Sequence, residues 1–230
     1  MFPENAAIGR ACAPFAMFPP DDCPMSAAVS PTRLETLLQE ISACRACASD
    51  FAATASAHTP RPVVRGAPGA RIIVAGQAPG TRVHASGVPF SDASGDRLRS
   101  WMGVDKATFH DERRIAILPM AFCFPGQDAR GADLPPPPRC ATLWRGRLLA
   151  HFPRPACVLL VGGHAQRWHL GKAAAPGVTA TVRDWARHAP RVFPLPHPSW
   201  RNTGWLRRNP WFGAEVLPVL RARLAALLME

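Results

Sequence analysis

Lysine is nearly missing from this chain: Lys106 and Lys172 are its two occurrences, so the 27 basic side chains set against 16 acidic ones, a net charge of +11, are almost all arginine. That scarcity argues against a lysine-rich amphipathic face of the kind that lies on a membrane. Also lacking is any run of the roughly 18 apolar residues that a membrane-spanning helix needs. The first residues show no basic stretch followed by an apolar one, so no export signal is expected. A cytoplasmic, nucleoid-associated protein is therefore expected, in which seven cysteines do not build a disulfide framework and must be read for metal chemistry or burial. What is abundant is arginine, whose planar fork donates two parallel hydrogen bonds to phosphate oxygens. A polyanion, nucleic acid before membrane, is the expected partner. The plainer alternative is that richness in Ala, Arg and Pro reflects a GC-rich coding sequence.

With 230 residues, 47% of them hydrophobic, the chain can bury the core of one α/β domain. Residues 1–30 carry Pro3, Pro14, Pro19, Pro20 and Pro24 without periodicity and read as a proline-rich arm, partly ordered, with Cys12 and Cys23 as unpaired thiols. The domain proper is expected over residues 31–230. Leu34, Leu37, Leu38 and Ile41 recur at helical spacing behind a capping box of Thr32 and Glu35. Four apolar runs read as buried parallel strands: Arg71 to Ala75, Ile115 to Leu118, Cys157 to Val161 and Arg191 to Leu195. Helical stretches are expected over 94–102, 139–151, 163–170 and 212–229, and Pro135 to Pro138 reads as a stiff polyproline connector. Strands alternating with helices predict a three-layer α/β sandwich around a mostly parallel four-stranded sheet.

Three constellations carry chemistry. Cys44-x-x-Cys47 ends the first helix, and Cys123 and Cys140 flank a Pro/Gly-rich loop. Four thiolates suit zinc or an iron-sulfur cluster, although small buried hydrophobes explain the second pair equally well. His197 stands between Pro196 and Pro198 at a strand end, which leaves its imidazole little freedom and suits a preorganised electrostatic role. Behind it come Trp200, Arg201, Asn202, Trp205, Arg207, Arg208 and Trp211, a mixture able to grip phosphate and stack on bases. Finally, Gly76-Gln77-Ala78-Pro79-Gly80 follows a strand directly, and Phe90 follows Pro89 downstream. An aromatic ring held there can stack on a planar heterocycle, and it can equally be core.

Taken in order, Gly76 to Gly80, then Gly87-x-Pro89-Phe90, then His197-Pro198-Ser199 resemble the active-site motifs of the uracil-DNA glycosylase superfamily. The four cysteines resemble those of its iron-sulfur, family 4-like branch. The likeness runs from about residue 33 to the C-terminus. It implies a [4Fe-4S] cluster on Cys44, Cys47, Cys123 and Cys140, with zinc as the alternative. It implies further that Gly76, Gln77, Ala78 and Gly80 border the base and the attacking water, and that Phe90 stacks on the flipped base. His197 would then face the uracil O2, and Ser199, Trp200, Arg201 and Asn202 would enter the DNA, with Arg207 and Arg208 on its phosphates.

Two positions depart from that pattern. Gln77 stands where iron-sulfur relatives carry glutamate, and Pro119 falls where relatives place a base-reading asparagine. Asp92 and Asp96 are candidates for the missing charge, Asp92 the one assigned to catalysis, though each also reads as a capping or solvated aspartate. Trp200-Arg201-Asn202 is similar to the loop of the single-strand-selective branch, so a divergent subfamily is expected. The implied activity is a monofunctional glycosylase, acting as a monomer on DNA containing uracil or abasic sites. A catalytically weak damage-binding protein of the same fold is the alternative. A nucleoside hydrolase would explain Gly76 to Gly80 but neither the arginines nor the aromatic loop.

Overall fold

The computed structural model describes residues 31–229. The arm expected over residues 1–30 and the side chain of Thr32 lie outside the described residues. The elements run α1 (Pro31–Ser42), α2 (Ala48–Ala52), β1 (Ile72–Ala75), α3 (Thr81–Ser86), α4 (Ala93–Met102), α5 (Lys106–His110) and β2 (Ile115–Ile117). There follow α6 (Pro138–Cys140), a π turn at Ala141–Arg145, α7 (Gly146–Leu149), β3 (Cys157–Val161), α8 (Gly163–Leu170), α9 (Val178–Arg183), β4 (Val192–Leu195), α10 (Thr203–Arg208) and α11 (Leu217–Met229).

The four strands form one sheet in the order β2-β1-β3-β4, all parallel, with Ile72 opposite both Ile115 and Cys157 and Val158 opposite Val192. A parallel sheet is covered on both faces, which is why each strand is a continuous apolar run. Alternate residues serve opposite layers. Ile72, Val74, Ile115, Ile117, Leu159 and Phe193 pack with Leu98 and Met102 of α4 and with Leu217, Leu220 and Leu224 of α11. Ile73, Ala75, Ala116, Val158 and Leu160 pack with Leu34, Leu37 and Ile41 of α1 and with Leu148, Leu149 and Ala165. The expected three-layer α/β sandwich is present.

Four expectations need correction: α1 stops at Ser42, so Cys44 lies beyond it and Cys47 caps α2, and the stretch read as one helix over 212–229 opens with a π turn at Phe212–Val216 before α11. The helix read over 139–151 is not uniform: α6 widens into the π turn before α7 resumes. Pro138 belongs to this helix and not to the polyproline run, because its missing N–H costs nothing at the first helical position.

Candidate active site

Because the strands are parallel, their carboxyl ends meet on one edge of the sheet, where α/β folds place their sites. The loop after β2 is stitched onto the loop after β1: Met120 N–H donates to the Gly76 carbonyl at 2.9 Å and Ala121 N–H to that of Gln77 at 3.0 Å. Between these loops and the one after β4 lies a cleft of about 500 Å³. Gly76, Gln77, Ala78, Gly80, Phe90, Asp92, Pro119, His197, Ser199, Trp200, Arg201 and Asn202 all border it. Gln77 and His197 thus face a common space, as the sequence reading requires.

Phe90 has φ +54°, a conformation that bulky residues seldom adopt and that clusters at functional sites. Its neighbours hold it there. Arg99 donates from Nη1 to the Phe90 carbonyl at 3.1 Å, and Phe109 meets the ring edge-on with centroids 5.8 Å apart. Glycine is needed at Gly95, where a Cβ would stand 1.8 Å from the Phe90 carbonyl oxygen, and a Cβ on Gly76 would crowd the ring at 3.3 Å. The ring therefore lies against the Gly76 backbone, in the cleft wall.

His197 is fixed through both its ring and its backbone. Ser199 N–H donates to Nδ1 at 3.2 Å, and Asn202 Nδ2 donates to the His197 carbonyl at 2.7 Å. With Nδ1 accepting, the proton sits on Nε2, so the imidazole is a neutral donor. Burial lowers its pKa below the ordinary histidine value, against the opposing fields of Asp92 and Asp133. Asn202 is thus engaged with His197 itself, a role not read from the sequence. Arg97 clamps the same loop, donating from Nη1 to the Ser199 carbonyl at 2.8 Å and from Nη2 to Thr203 Oγ1 at 3.3 Å. Trp200 projects outward, 74% exposed, with the Arg201 guanidinium 5.6 Å from its ring centre.

The aromatic mixture behind His197 divides. Trp205 and Trp211 are half-buried: both meet Phe212 edge-on, Arg183 covers the Trp211 ring at 4.4 Å, and Trp205 donates from Nε1 to Thr179 Oγ1 at 2.8 Å. Arg207 and Arg208 are exposed on the last turn of α10 and do not border the cleft. Asp92 caps α4, accepting from Gly95 N–H at 3.1 Å while still bordering the cleft. Asp96 pairs with Arg99 and stands outside it.

Gln127 and Asp133 are among the cleft residues that the sequence did not show. A small hairpin, closed by Asp128 N–H to Ala132 O and Leu134 N–H to Gly126 O, both 2.9 Å, carries Gln127 and Asp133 to the cleft mouth. Gln127 Nε2 donates to Asp133 Oδ1 at 3.3 Å, and Asp133 Oδ2 lies 3.7 Å from where a Cβ on Gly80 would be. No motif signals them, since a Pro/Gly-rich loop has no periodicity to show which side chain turns inward.

A separate pocket is ringed by Cys44, Cys47, Cys123 and Cys140 with Phe51, Leu143 and Trp144. Among the described residues no three His, Cys, Asp or Glu side chains are grouped as a metal-ion site. Phe122 N–H points at the Cys140 sulfur at 3.4 Å, and the Arg61 backbone N–H is directed to that of Cys123, donors that suit thiolate acceptors. Burial pushes the Cys123 thiol up to about 12 and the Cys140 thiol up to about 11, and raises that of Cys47. Four sulfurs, two of them met by backbone donors in an apolar pocket, make a donor set that fits a metal centre.

No described helix is long and apolar enough to cross a membrane. Residues 63–221 match the family model described as the uracil DNA glycosylase superfamily, and that span takes in Gly76 to Gly80, Phe90, the cleft-mouth hairpin and the His197 loop. A match over well more than half of the chain, joined to an all-parallel sheet whose loop after β1 faces His197 across a cleft, places the chain in the uracil DNA glycosylase superfamily.

Proposed function

We propose that this superfamily member is a monofunctional DNA glycosylase that flips uracil, or a related deaminated base, out of DNA and hydrolyses its N-glycosidic bond, leaving an abasic site. The observation that carries the reading is the shared cleft of Gln77, Phe90 and His197, at about 500 Å³ roomy enough for one flipped base. Phe90 stacks on the base, and Gln127 takes the edge-reading place for which Pro119 has no side-chain donor or acceptor. The Gln77 amide orients a water beneath the sugar.

As the bond between C1′ and the base breaks, its electron pair moves onto the base. The His197 Nε2–H donor stabilises that anion, the kind of fixed dipole that lowers such barriers. Water adds to C1′, and its proton passes to a carboxylate at the cleft, Asp133 or Asp92, before release to solvent. Trp200, Ser199 and Arg201 enter the duplex and hold the gap, offsetting an unstacking cost of a few kcal/mol. Arg207 and Arg208 reach phosphates beyond the cleft. Cys44, Cys47, Cys123 and Cys140 would hold a [4Fe-4S] cluster, which would crosslink the turn between α1 and α2, the loop after β2 and α6.

A uracil-containing duplex treated with excess protein and then alkali should give a strand break at the uracil. An intact strand would instead favour the damage-binding protein, a reading that the amide at Gln77 keeps in play. Purified protein should be brown, whereas a colourless preparation with stoichiometric zinc would overturn the iron-sulfur assignment.

A further inference from the structure

Arg145, at the end of the π turn behind Cys140, is 1% exposed. A guanidinium taken out of water needs an anion, and leaving it alone in the interior is costly. Among the described residues no carboxylate pairs with it. Its Nη1 donates to the carbonyls of Leu118 and Pro119 at 3.0 and 3.1 Å, and its Nη2 donates to His169 Nε2. The guanidinium carbon stands 4.8 Å from the centre of the Trp168 ring, and Nε has no hydrogen-bond partner among the described residues. All of these neighbours are neutral. His169 accepts from the arginine, and burial, then the arginine itself, holds its pKa well below the ordinary histidine value. Cys140 stands at the start of the π turn that Arg145 ends, and in its thiolate form it is the group whose charge would favour that of Arg145. The arginine lacks an anion; of the four partly buried thiols Cys47 is met by Arg139, while the cation that favours a thiolate at Cys140 is Arg145, five residues on across the π turn.

We propose that Arg145 is the counter-charge of an anionic centre bound by the thiolates of Cys44, Cys47, Cys123 and Cys140, and that it ties this centre to the wall of the base cleft. The tie runs through its bonds to the Leu118 and Pro119 carbonyls, and Pro119 borders the cleft. This rests on the cofactor reading given above, not on the identity of the excised base.

The test uses iron-loaded protein with Arg145→Leu, which keeps the bulk without the charge, and Arg145→Lys, which keeps the charge. Reduction adds negative charge to the centre, so Arg145→Leu should move the midpoint potential in film voltammetry to more negative values while Arg145→Lys stays near the parent. Iron should also leave Arg145→Leu for a chelator about 10- to 100-fold more readily, the range for outer partners of metal ligands. In metal-stripped protein the same leucine should leave the melting temperature unchanged or raise it, because an uncompensated buried charge has gone. A merely structural arginine would lower stability with and without metal and leave the potential where it was, and that result overturns the proposal. If the parent carries zinc, the chelator measurement decides alone, and a parent holding neither metal in stoichiometric amount also overturns it. Excision by the parent on uracil-containing DNA is scored separately, so a failed counter-charge role and a failed glycosylase reading remain distinguishable.

Discussion

At the residue scale, the proposed reaction has His197 act through a hydrogen bond and not through a charge. Its Nδ1 is occupied by the Ser199 N–H, and burial disfavours the imidazolium. His197→Ala should therefore slow single-turnover excision by about 10²-fold or more while leaving DNA affinity nearly unchanged, the loss expected for one preorganised donor. A second expectation separates the two carboxylates. Asp133→Asn should slow excision by about 10²-fold with little change in melting temperature, the lower end for general base catalysis. Asp92→Ala should cost about 1 kcal/mol of stability, because the aspartate caps α4. Both follow from one set of rate and unfolding measurements. The sequence made His197 legible, because two prolines at a strand end leave few conformations. Asp133 was not legible: Asp128 closes the turn, its carboxylate accepting from the Arg130 and Ala132 N–H groups, but nothing in that turn tells which neighbouring side chain faces the cleft.

At the element scale, the strands and the long helices α1, α4 and α11 were readable because each buries a continuous run or a full stripe. The short helices α2, α3, α5, α9 and α10 were not, since five or six residues hold too few apolar positions to show a period. Trp205 and Trp211 illustrate the limit of residue type: an aromatic beside arginines can face a nucleic acid or a helix, and here both pack on Phe212. The junction of α4 with the Phe90 turn offers a sharp test. Gly95→Ala drives a methyl group into the Phe90 carbonyl, so it should lower the melting temperature and weaken excision together, because the stacking ring moves with its backbone. Leu220→Ala, remote from the cleft, should cost about 2–5 kcal/mol through the cavity left under the sheet while keeping the rate per folded molecule.

For the whole molecule, charge and burial predict how the surroundings matter. With a net charge of +11 dominated by arginine, DNA affinity should fall steeply and log-linearly with salt; a flat response would speak against a phosphate-gripping surface. Stability should also depend on pH. His84, His151, His164, His169 and His197 all have pKa values lowered, burial being the first cause in each. The unfolded chain thus binds protons that the folded chain refuses. Stability should be level above about pH 6.5, the ordinary histidine value, and fall as pH drops below it. Urea midpoints on either side of that value read this directly.

The loop behind β4 has one further consequence. Asn202 and Ser199 hold His197, Arg97 holds Ser199 and Thr203, and Trp200 stands among them, so the side chain proposed to enter the duplex and the one proposed to assist bond breaking share one hydrogen-bonded loop. On that reading, a substitution that repositions Ser199 or Asn202 to change the grip on DNA should also re-aim the imidazole. A lineage selected for tighter searching along the genome should therefore show altered chemistry, not merely altered affinity.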